Sequence, residues 1–492
     1  KTLQAYNVLD FDDLIYLPVR KLLENPQLRS KWQQKIQYLL VDEYQDTNKC
    51  QYELVKIITG NRSCLTVVGD DDQSIYTWRG AQPENLGLLA DDFANLFVIK
   101  LEQNYRSTGR ILKAANQLID NNEHIFDKKL WSALGYGDQI NILETKSDVQ
   151  EAEKVVSDIQ YQIFRHRRQF RDYAILYRSN HQSRVFEKVL AENNIPYYLS
   201  GGTSFFERSE IKDILGYLRL ITNPDDDAAF LRIINTPRRH IGTKTLTQLG
   251  KYATENGMTM VAASRESEKI GLIKSNSQAR IKQFIQWLDD ISLRSENEPA
   301  EKIISRLIED VDYINWLREL NQDDKSVKRR VESIDELRSW VSHLGHKESL
   351  TKIVSHILLM GTLEGDDNNG EDNRVSLMTL HAAKGLEFPD VYLVGLEENI
   401  LPHHACQDAD GISEERRLAY VGITRAQKRL SLSYAISRKK HGELVTCEPS
   451  RFLSELPEDD LNWVHKQAVD EKEKQLRGDA YLSNIRALLD NA

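Results

Sequence analysis

The sequence predicts an α/β protein with two parallel-sheet domains and an all-helical domain inserted in the second. Three observations lead there. Short apolar runs alternate with stretches of helical periodicity. Residues from about 207 to 361 carry mostly helical periodicity. Strand-like runs then return.

In chain order, Ile36–Val41 reads as a buried strand running into acids. Cys64–Gly69 and Leu96–Leu101 read as the next strands. The helix Gly109–Asn121 follows, then the strand Tyr173–Arg178, the helix Gln182–Asn193 and the strand Pro196–Leu199. In the helical stretch, Ile211, Ile214, Leu215 and Leu218 fall on one face. The acidic run GDDNNGEDN at 365–373 reads as a flexible connector. The strands Val375–Leu380, Asp390–Leu396 and Leu430–Tyr434 complete the second sheet. From Pro457 the chain is charged and reads as a helical or frayed tail.

The chain has 492 residues, room for several domains, with 40% hydrophobic and 28% charged residues. It contains no apolar stretch long enough to span a membrane and no secretory leader, although it opens on Lys1 rather than Met. Cys50, Cys64, Cys406 and Cys447 show no metal-ligand spacing and read as reduced thiols, which predicts a cytoplasmic protein. A net charge of −10 argues mildly against a simple basic nucleic-acid binder. It leaves room for a protein that grips a strand through local patches and stacking.

Two segments carry the chemistry. In LLVDEYQDTN at Leu39–Asn48, a strand delivers Asp42 and Glu43 at its end. In phosphate-transfer motors one such acid holds Mg²⁺ and its neighbour deprotonates the attacking water. A strand ending in two acids is weak evidence alone; Gln45, Asp46 and Thr47 beside them strengthen it. In VVGDDDQSIYTWRGA at Val67–Ala81, Gly69 permits a tight turn and Gln73 can hydrogen-bond a phosphate oxygen or the lytic water. Tyr76 suits either a core position or a stacking platform. Trp78 beside Arg79 in a polar loop points to an exposed platform for bases.

Together these segments resemble motifs II and III of the UvrD/Rep/PcrA helicases of superfamily one. LEQNYRS at Leu101–Ser107 is similar to motif IV, VSLMTLHAAKGLEFP at Val375–Pro389 to motif V, and EERRLAYVGITRA at Glu414–Ala426 to motif VI. NHQSR at Asn180–Arg184, GGTSFF at 201–206 and EPSRFL at Glu448–Leu453 resemble the Rep branch in particular. The resemblance covers nearly the whole chain. It implies RecA-like motor domains, the first one truncated, and an ATP-dependent DNA helicase that translocates 3′ to 5′ on single-stranded DNA.

The resemblance also implies residue roles. Asp42 would bind Mg²⁺, Glu43 would be the general base and Gln73 would sense the γ-phosphate of ATP. Tyr105 would stack on the adenine, with Gly385 and Glu387 at the nucleotide and Glu387 meeting the ribose. Arg106 and Arg425 would act as arginine fingers. Tyr76, Trp78, Arg79, Arg178, Asn180, Thr379, His381 and His403 would lie along the DNA, although His381 and His403 also suit structural roles. NTPRRHIG at Asn235–Gly242 resembles the family's duplex-contacting element and reads equally as a solvated basic turn. KSVKRR at Lys325–Arg330 reads as a helix surface. Partners would be single-stranded DNA and single-/double-strand junctions, with replication or repair proteins, and no membrane. The working form would be a monomer or homodimer.

The same resemblance divides the chain. Residues 1–23 would be a remnant of the first inserted helical domain and 24–103 the end of the first motor domain. The second motor domain would occupy 104–202 and 370–456, interrupted by the helical domain at 203–369, with a charged tail at 457–492. No G-x-x-x-x-G-K-[ST] run occurs, and only 41 residues precede Asp42. Lys384 has no such glycine run ahead of it and is not read as a phosphate-loop lysine. The expectation is a catalytically incomplete fragment with little ATPase activity of its own. The rival readings are a non-catalytic DNA-binding or regulatory remnant, and a helicase–nuclease. The second is disfavoured because only 66 residues follow Ala426.

Overall fold

The structure, a computed structural model, describes residues 9–200, 205–271, 273–320, 323–344, 349–363, 373–440 and 443–464. The described chain forms two compact units. One draws on 1–190, 195–201 and 369–492, the other on 191–194 and 202–368. The connector at 365–373, apart from Asn373, lies outside the described residues, as do 201–204 of the GGTSFF run and the tail beyond 464.

The first unit begins with a small parallel sheet. Strand β1 (Leu39–Val41) pairs with β2 (Leu65–Val67). Leu39, Val41, Leu65 and Val67 pack on Tyr44, Tyr52, Val55, Leu86, Leu89 and Phe93. The helix Lys49–Thr59 starts on a capping box between Asn48 and Gln51, which satisfies two otherwise orphaned backbone donors. The helix Asp13–Glu24 lies against it through Val19, Leu22 and Ile57. Val19 and Leu22 are the buried residues of that helix, while Leu14, Tyr16 and Leu23 stay exposed.

Leu96–Leu101 is not a strand. Among the described residues no neighbour supplies a ladder for it, and Phe97, Ile99 and Leu101 are exposed. Apolar composition alone does not make a strand, because backbone pairing must satisfy the N–H and C=O groups. Short strands β3 (Gln103–Asn104) and β4 (Trp131–Ser132) pair further on.

Seven strands build the main sheet. They are β5 (Ile140–Thr145), β6 (Tyr173–Tyr177), β7 (Tyr197–Ser200), β8 (Val375–Thr379), β9 (Phe388–Leu393), β10 (Ala426–Ala435) and, after the hairpin β11 (Ser437–Lys440) and β12 (Glu443–Thr446), β13 (Leu461–Trp463). Their order is β13-β5-β10-β9-β6-β8-β7, and every pairing is parallel. Every residue of β6 is buried, as a central strand covered on both faces requires. The core joins Ile142, Leu176, Met378 and Leu393 to the helices Gly109–Ile119 and Ala409–Ile423. The charged stretch from Pro457 is thus no free tail at its start, because β13 pairs with β5.

The second unit enters the chain between β7 and β8, which are adjacent in the sheet. It is all-helical among the described residues, from Ser209–Thr222 to Leu350–Leu363. The helix Ser209–Thr222 is its centre, with Ile211, Ile214, Tyr217 and Leu218 fully buried.

Parallel pairing places the carboxyl ends of all seven strands on one rim. Arg178 follows β6, His381 follows β8, and the loop holding His403 follows β9. Ligands of open parallel sheets collect on this rim, where the chain must leave the ladder in loops.

Candidate nucleotide and nucleic-acid site

The acidic turn forms where β1 ends. Glu43 adopts a left-handed conformation, φ 51° and ψ 43°. Asp42 accepts the Glu43 N–H at 2.9 Å, and Glu43 accepts Gln45 Nε2 at 2.6 Å. The buried Gln45 side chain also accepts the Asp70 N–H at 3.0 Å, joining the two acidic loops. Gly69 serves that close approach: a Cβ there would lie 2.7 Å from Gln45 Oε1. Gln73 Nε2 donates to Asp70 at 2.7 Å.

Side chains from the far end of the sequence meet this turn within the same unit. Lys384 Nζ donates to Asp46 at 2.5 Å and to the Gln73 carbonyl at 2.9 Å, and lies 3.3 Å from Glu43. Its side chain is 7% exposed and sits 5.4 Å from the centre of the Tyr76 ring. Arg425 is 1% exposed; Nη2 donates to Gln73 Oε1 at 3.3 Å, and Nε and Nη1 donate to the carbonyls of Val421 and Leu386. Burial, with Arg106 nearby, lowers its pKa to about 10, and Glu43 acts in the opposite direction. Arg106 donates to Glu387 at 2.5 Å, and this bond is the main reason the Glu387 carboxyl sits below its ordinary range. Tyr105 is 77% exposed, its hydroxyl donating to Gln103. Gly385 has φ +83° with open space around it.

The DNA candidates fall on the strand-end rim and beside it. Tyr76 is half-buried, and its hydroxyl donates to the His381 carbonyl at 3.2 Å. Trp78 is 62% exposed, edge-on to His381 at 6.2 Å, with the Arg79 guanidinium 4.5 Å from its ring centre. Burial, then the charge of Arg178, lowers the pKa of His381 to about 4. Arg178 forks onto Glu415, which also accepts the His403 N–H at 3.0 Å. Asn180 is exposed at the start of the turn Asn180–Gln182. The Thr379 hydroxyl accepts the Ala382 N–H, so it also shapes the loop that carries His381 and Lys384.

In the second unit the NTPRRHIG turn divides its two arginines. Arg238 is exposed. Arg239 turns inward: it donates to the Ile233 carbonyl at 2.8 Å and to the Tyr217 hydroxyl at 2.6 Å, and lies 4.7 Å from the Phe284 ring centre. It therefore holds the turn together instead of facing solvent. Lys325–Arg330 lies on the helix Asp324–Leu344.

Asp71, Asp72 and His124 cluster closely enough to suggest a metal site. The Lys128 ammonium already neutralises that cluster, lying 2.6 Å from Asp70 and 3.0 Å from Asp72 and also bonding Asp71. At the end of β1, Asp42 and Asp46 offer further carboxylate oxygens, one of them already held by Lys384. These are hard oxygen donors beside Glu43, and buried Asp46 Oδ1 has no hydrogen-bond partner.

Lys384, Asp46 and Glu415 were not picked out by motif reasoning as site residues. For Lys384 the available signal was its place in the same loop as His381 and Glu387.

Residues 99–437 match the UvrD-like helicase C-terminal domain, and residues 1–94 match the UvrD/REP helicase N-terminal domain. The chain belongs to the UvrD/Rep helicase family. It is 51% identical over 494 residues to the ATP-dependent DNA helicase Rep of Escherichia coli (strain K12), an alignment covering 99% of this chain and 73% of that protein. It is 39% identical to the ATP-dependent DNA helicase PcrA of Bacillus subtilis (strain 168), covering 95% of this chain and 64% of that protein. DNA helicase II of Escherichia coli (strain K12) is also 39% identical, over 95% of this chain and 66% of its own length. The mixed α/β fold with its seven-stranded parallel sheet is consistent with a UvrD-type helicase. No helix among the described residues is long and apolar enough to cross a membrane.

Proposed function

We propose that this chain is part of the motor of an ATP-dependent DNA helicase that tracks 3′ to 5′ along single-stranded DNA and opens single-/double-strand junctions. One observation carries the reading: Glu43 and Gln73 from one segment meet Lys384 and Arg425 from another, although Arg425 and Gln73 lie 352 residues apart in sequence. Opposed carboxylates and guanidiniums are what phosphoryl transfer to water requires.

Asp42 would hold Mg²⁺, which neutralises phosphate charge when bound with ATP. Glu43 takes the proton of the attacking water. Gln73 orients that water or the γ-phosphate. Arg106 and Arg425 face the charge that develops on the transferring group, a contribution on the order of 10³–10⁵ in rate. Tyr105 offers an exposed ring to the adenine. Glu387 and Gly385 line the ribose side, and Arg106 must leave Glu387 to reach a phosphate. On the DNA side, Trp78, Tyr76 and His381 stack on bases, while Arg79, Arg178, Asn180, Thr379 and His403 meet the backbone. At its depressed pKa His381 is neutral at physiological pH and serves as a ring and hydrogen-bonding group rather than a cation.

The loop from Thr379 to Glu387 links the two sides. His381 touches the aromatic platform, and three residues later Lys384 touches the acids. Base occupancy and nucleotide chemistry thereby act on one short segment.

Because the chain contains no G-x-x-x-x-G-K-[ST] run, hydrolysis is assayed with a co-expressed segment that carries that loop. Oligothymidylate should stimulate turnover, and Glu43→Gln should remove it while oligothymidylate still binds. A Glu43→Gln protein that hydrolyses ATP at the wild-type rate refutes the assignment.

A further inference from the structure

We infer that Glu415 is a positioning residue for the DNA strand, holding Arg178 and the His403 loop in one preset geometry so that a guanidinium edge faces a phosphate. The inference rests on the DNA-binding reading above and deepens it.

Three adjacent strands, β9, β6 and β8, bring the His403 loop, Arg178 and His381 to one rim. Beneath them lies Glu415, 3% exposed, on the helix Ala409–Ile423. Asp408 caps that helix by accepting the Gly411 N–H. Both carboxylate oxygens of Glu415 are engaged. Oε1 accepts Arg178 Nη2 at 2.7 Å and Nε at 3.0 Å, while Oε2 accepts Nε at 3.0 Å and the His403 N–H at 3.0 Å.

A carboxylate buried this deeply is tolerable because charged and backbone donors satisfy it. The fork uses Nε and Nη2 of Arg178. Among the described residues nothing accepts from Nη1, and the Arg178 side chain keeps 19% of its surface open. One edge of a rigid planar cation is thus clamped and the other is presented. An arginine held in advance loses less rotamer freedom when it binds a phosphate.

The preceding residue extends the arrangement. Glu414 accepts the Thr77 N–H at 3.2 Å, in the loop that carries Trp78. Two consecutive acids on one helical turn therefore tie down both the stacking platform and the phosphate-facing arginine.

Charge alone predicts the opposite behaviour. Removing an acid from an anion-binding surface strengthens binding. Positioning predicts that removal weakens it.

The test uses this chain and a fluorescein-labelled oligothymidylate, with anisotropy read across a salt series. Arg178→Ala should lower the slope of log K against log salt by about 0.7, one single-strand phosphate contact. Glu415→Ala should lose a similar slope and weaken binding about tenfold, the size of one charge-assisted contact. The double variant should lose no more than either single. Glu415→Gln, which keeps the shape and one acceptor oxygen, should fall between wild type and alanine, and gives the reading if the alanine variant does not fold. Full slope and affinity in a folded Glu415→Ala or Glu415→Gln protein overturns the inference, leaving Glu415 structural. Tighter binding by either also overturns it, making the carboxylate a competitor of phosphate. An unchanged slope in Arg178→Ala removes Arg178 from the strand, and the inference with it. Failure of the wild-type chain to bind oligothymidylate overturns the DNA-binding reading itself.

Discussion

Replacing Lys384 by methionine keeps most of the side-chain volume and removes the ammonium that joins the two sets of motor residues. In the structure that ammonium is nearly buried, 2.5 Å from Asp46, 3.3 Å from Glu43 and 2.9 Å from the Gln73 carbonyl. Deleting one partner of a buried ion pair costs about 3–5 kcal/mol, because the other charge is left without compensation. Here water softens the loss, since the Asp46 side chain is 20% exposed and that of Glu43 is 54% exposed. The expected destabilisation is therefore about 2–3 kcal/mol. Burial already raises the pKa of Asp46, and the Lys384 contact works against that rise. Urea unfolding followed by tryptophan fluorescence measures the effect. A double-mutant cycle with Asp46→Asn isolates the pair. Asp46→Asn in the Lys384→Met background should recover part of the loss, with a coupling energy of at least about 1 kcal/mol. A Lys384→Met protein within about 0.5 kcal/mol of wild type, or strict additivity of the two changes, would refute the claim that this contact holds the segments together.

The DNA face and its histidine give two further expectations. Trp78→Ala should weaken oligothymidylate binding by about 1–3 kcal/mol, the worth of a stacked base, and leave the salt slope unchanged; anisotropy reads both. The folded pKa of His381 is depressed to about 4 from an ordinary 6.5, so between those values the unfolded chain binds more protons. Its contribution to stability is complete above about pH 6.5 and is lost as pH falls toward 4, at up to about 1.4 kcal/mol per pH unit. Urea midpoints of the wild type and His381→Gln should converge as pH drops through that window, and parallel curves would remove His381 as the cause.

Much of this arrangement was legible in the sequence because its chemistry sits in contiguous runs. Asp42 and Glu43 follow an apolar strand, and Trp78 stands among polar neighbours; local pattern is enough for both. Residues that act through distant partners left a weaker mark. Lys384 was seen only as a lysine without a glycine loop, since its role depends on a turn more than 300 residues earlier in the chain. Glu415 stood only as one residue of the run similar to motif VI, and only folding brings Arg178 and His403 onto it. The strands show the same division. β6, fully buried, announced itself as a continuous apolar run. β13 is three residues in an acidic stretch and exists because β5 offers it a ladder. Leu96–Leu101 has the composition of a strand but, among the described residues, no partner to pair with. Gly69 was assigned to a tight turn, whereas the nearness of Gln45 is what excludes a side chain there.

Hydrolysis requires Arg425 to lie opposite Glu43 and to act on the nucleotide they share. The direct measurement is ATP hydrolysis and oligothymidylate affinity of Arg425→Lys, assayed with the co-expressed segment that carries the phosphate loop. Lysine keeps the charge but cannot reproduce the guanidinium's contacts with Gln73, Val421 and Leu386. Turnover should fall by on the order of 10³ while affinity for the strand stays within about twofold of wild type. Near-normal turnover, or an equal loss of hydrolysis and DNA binding, contradicts it.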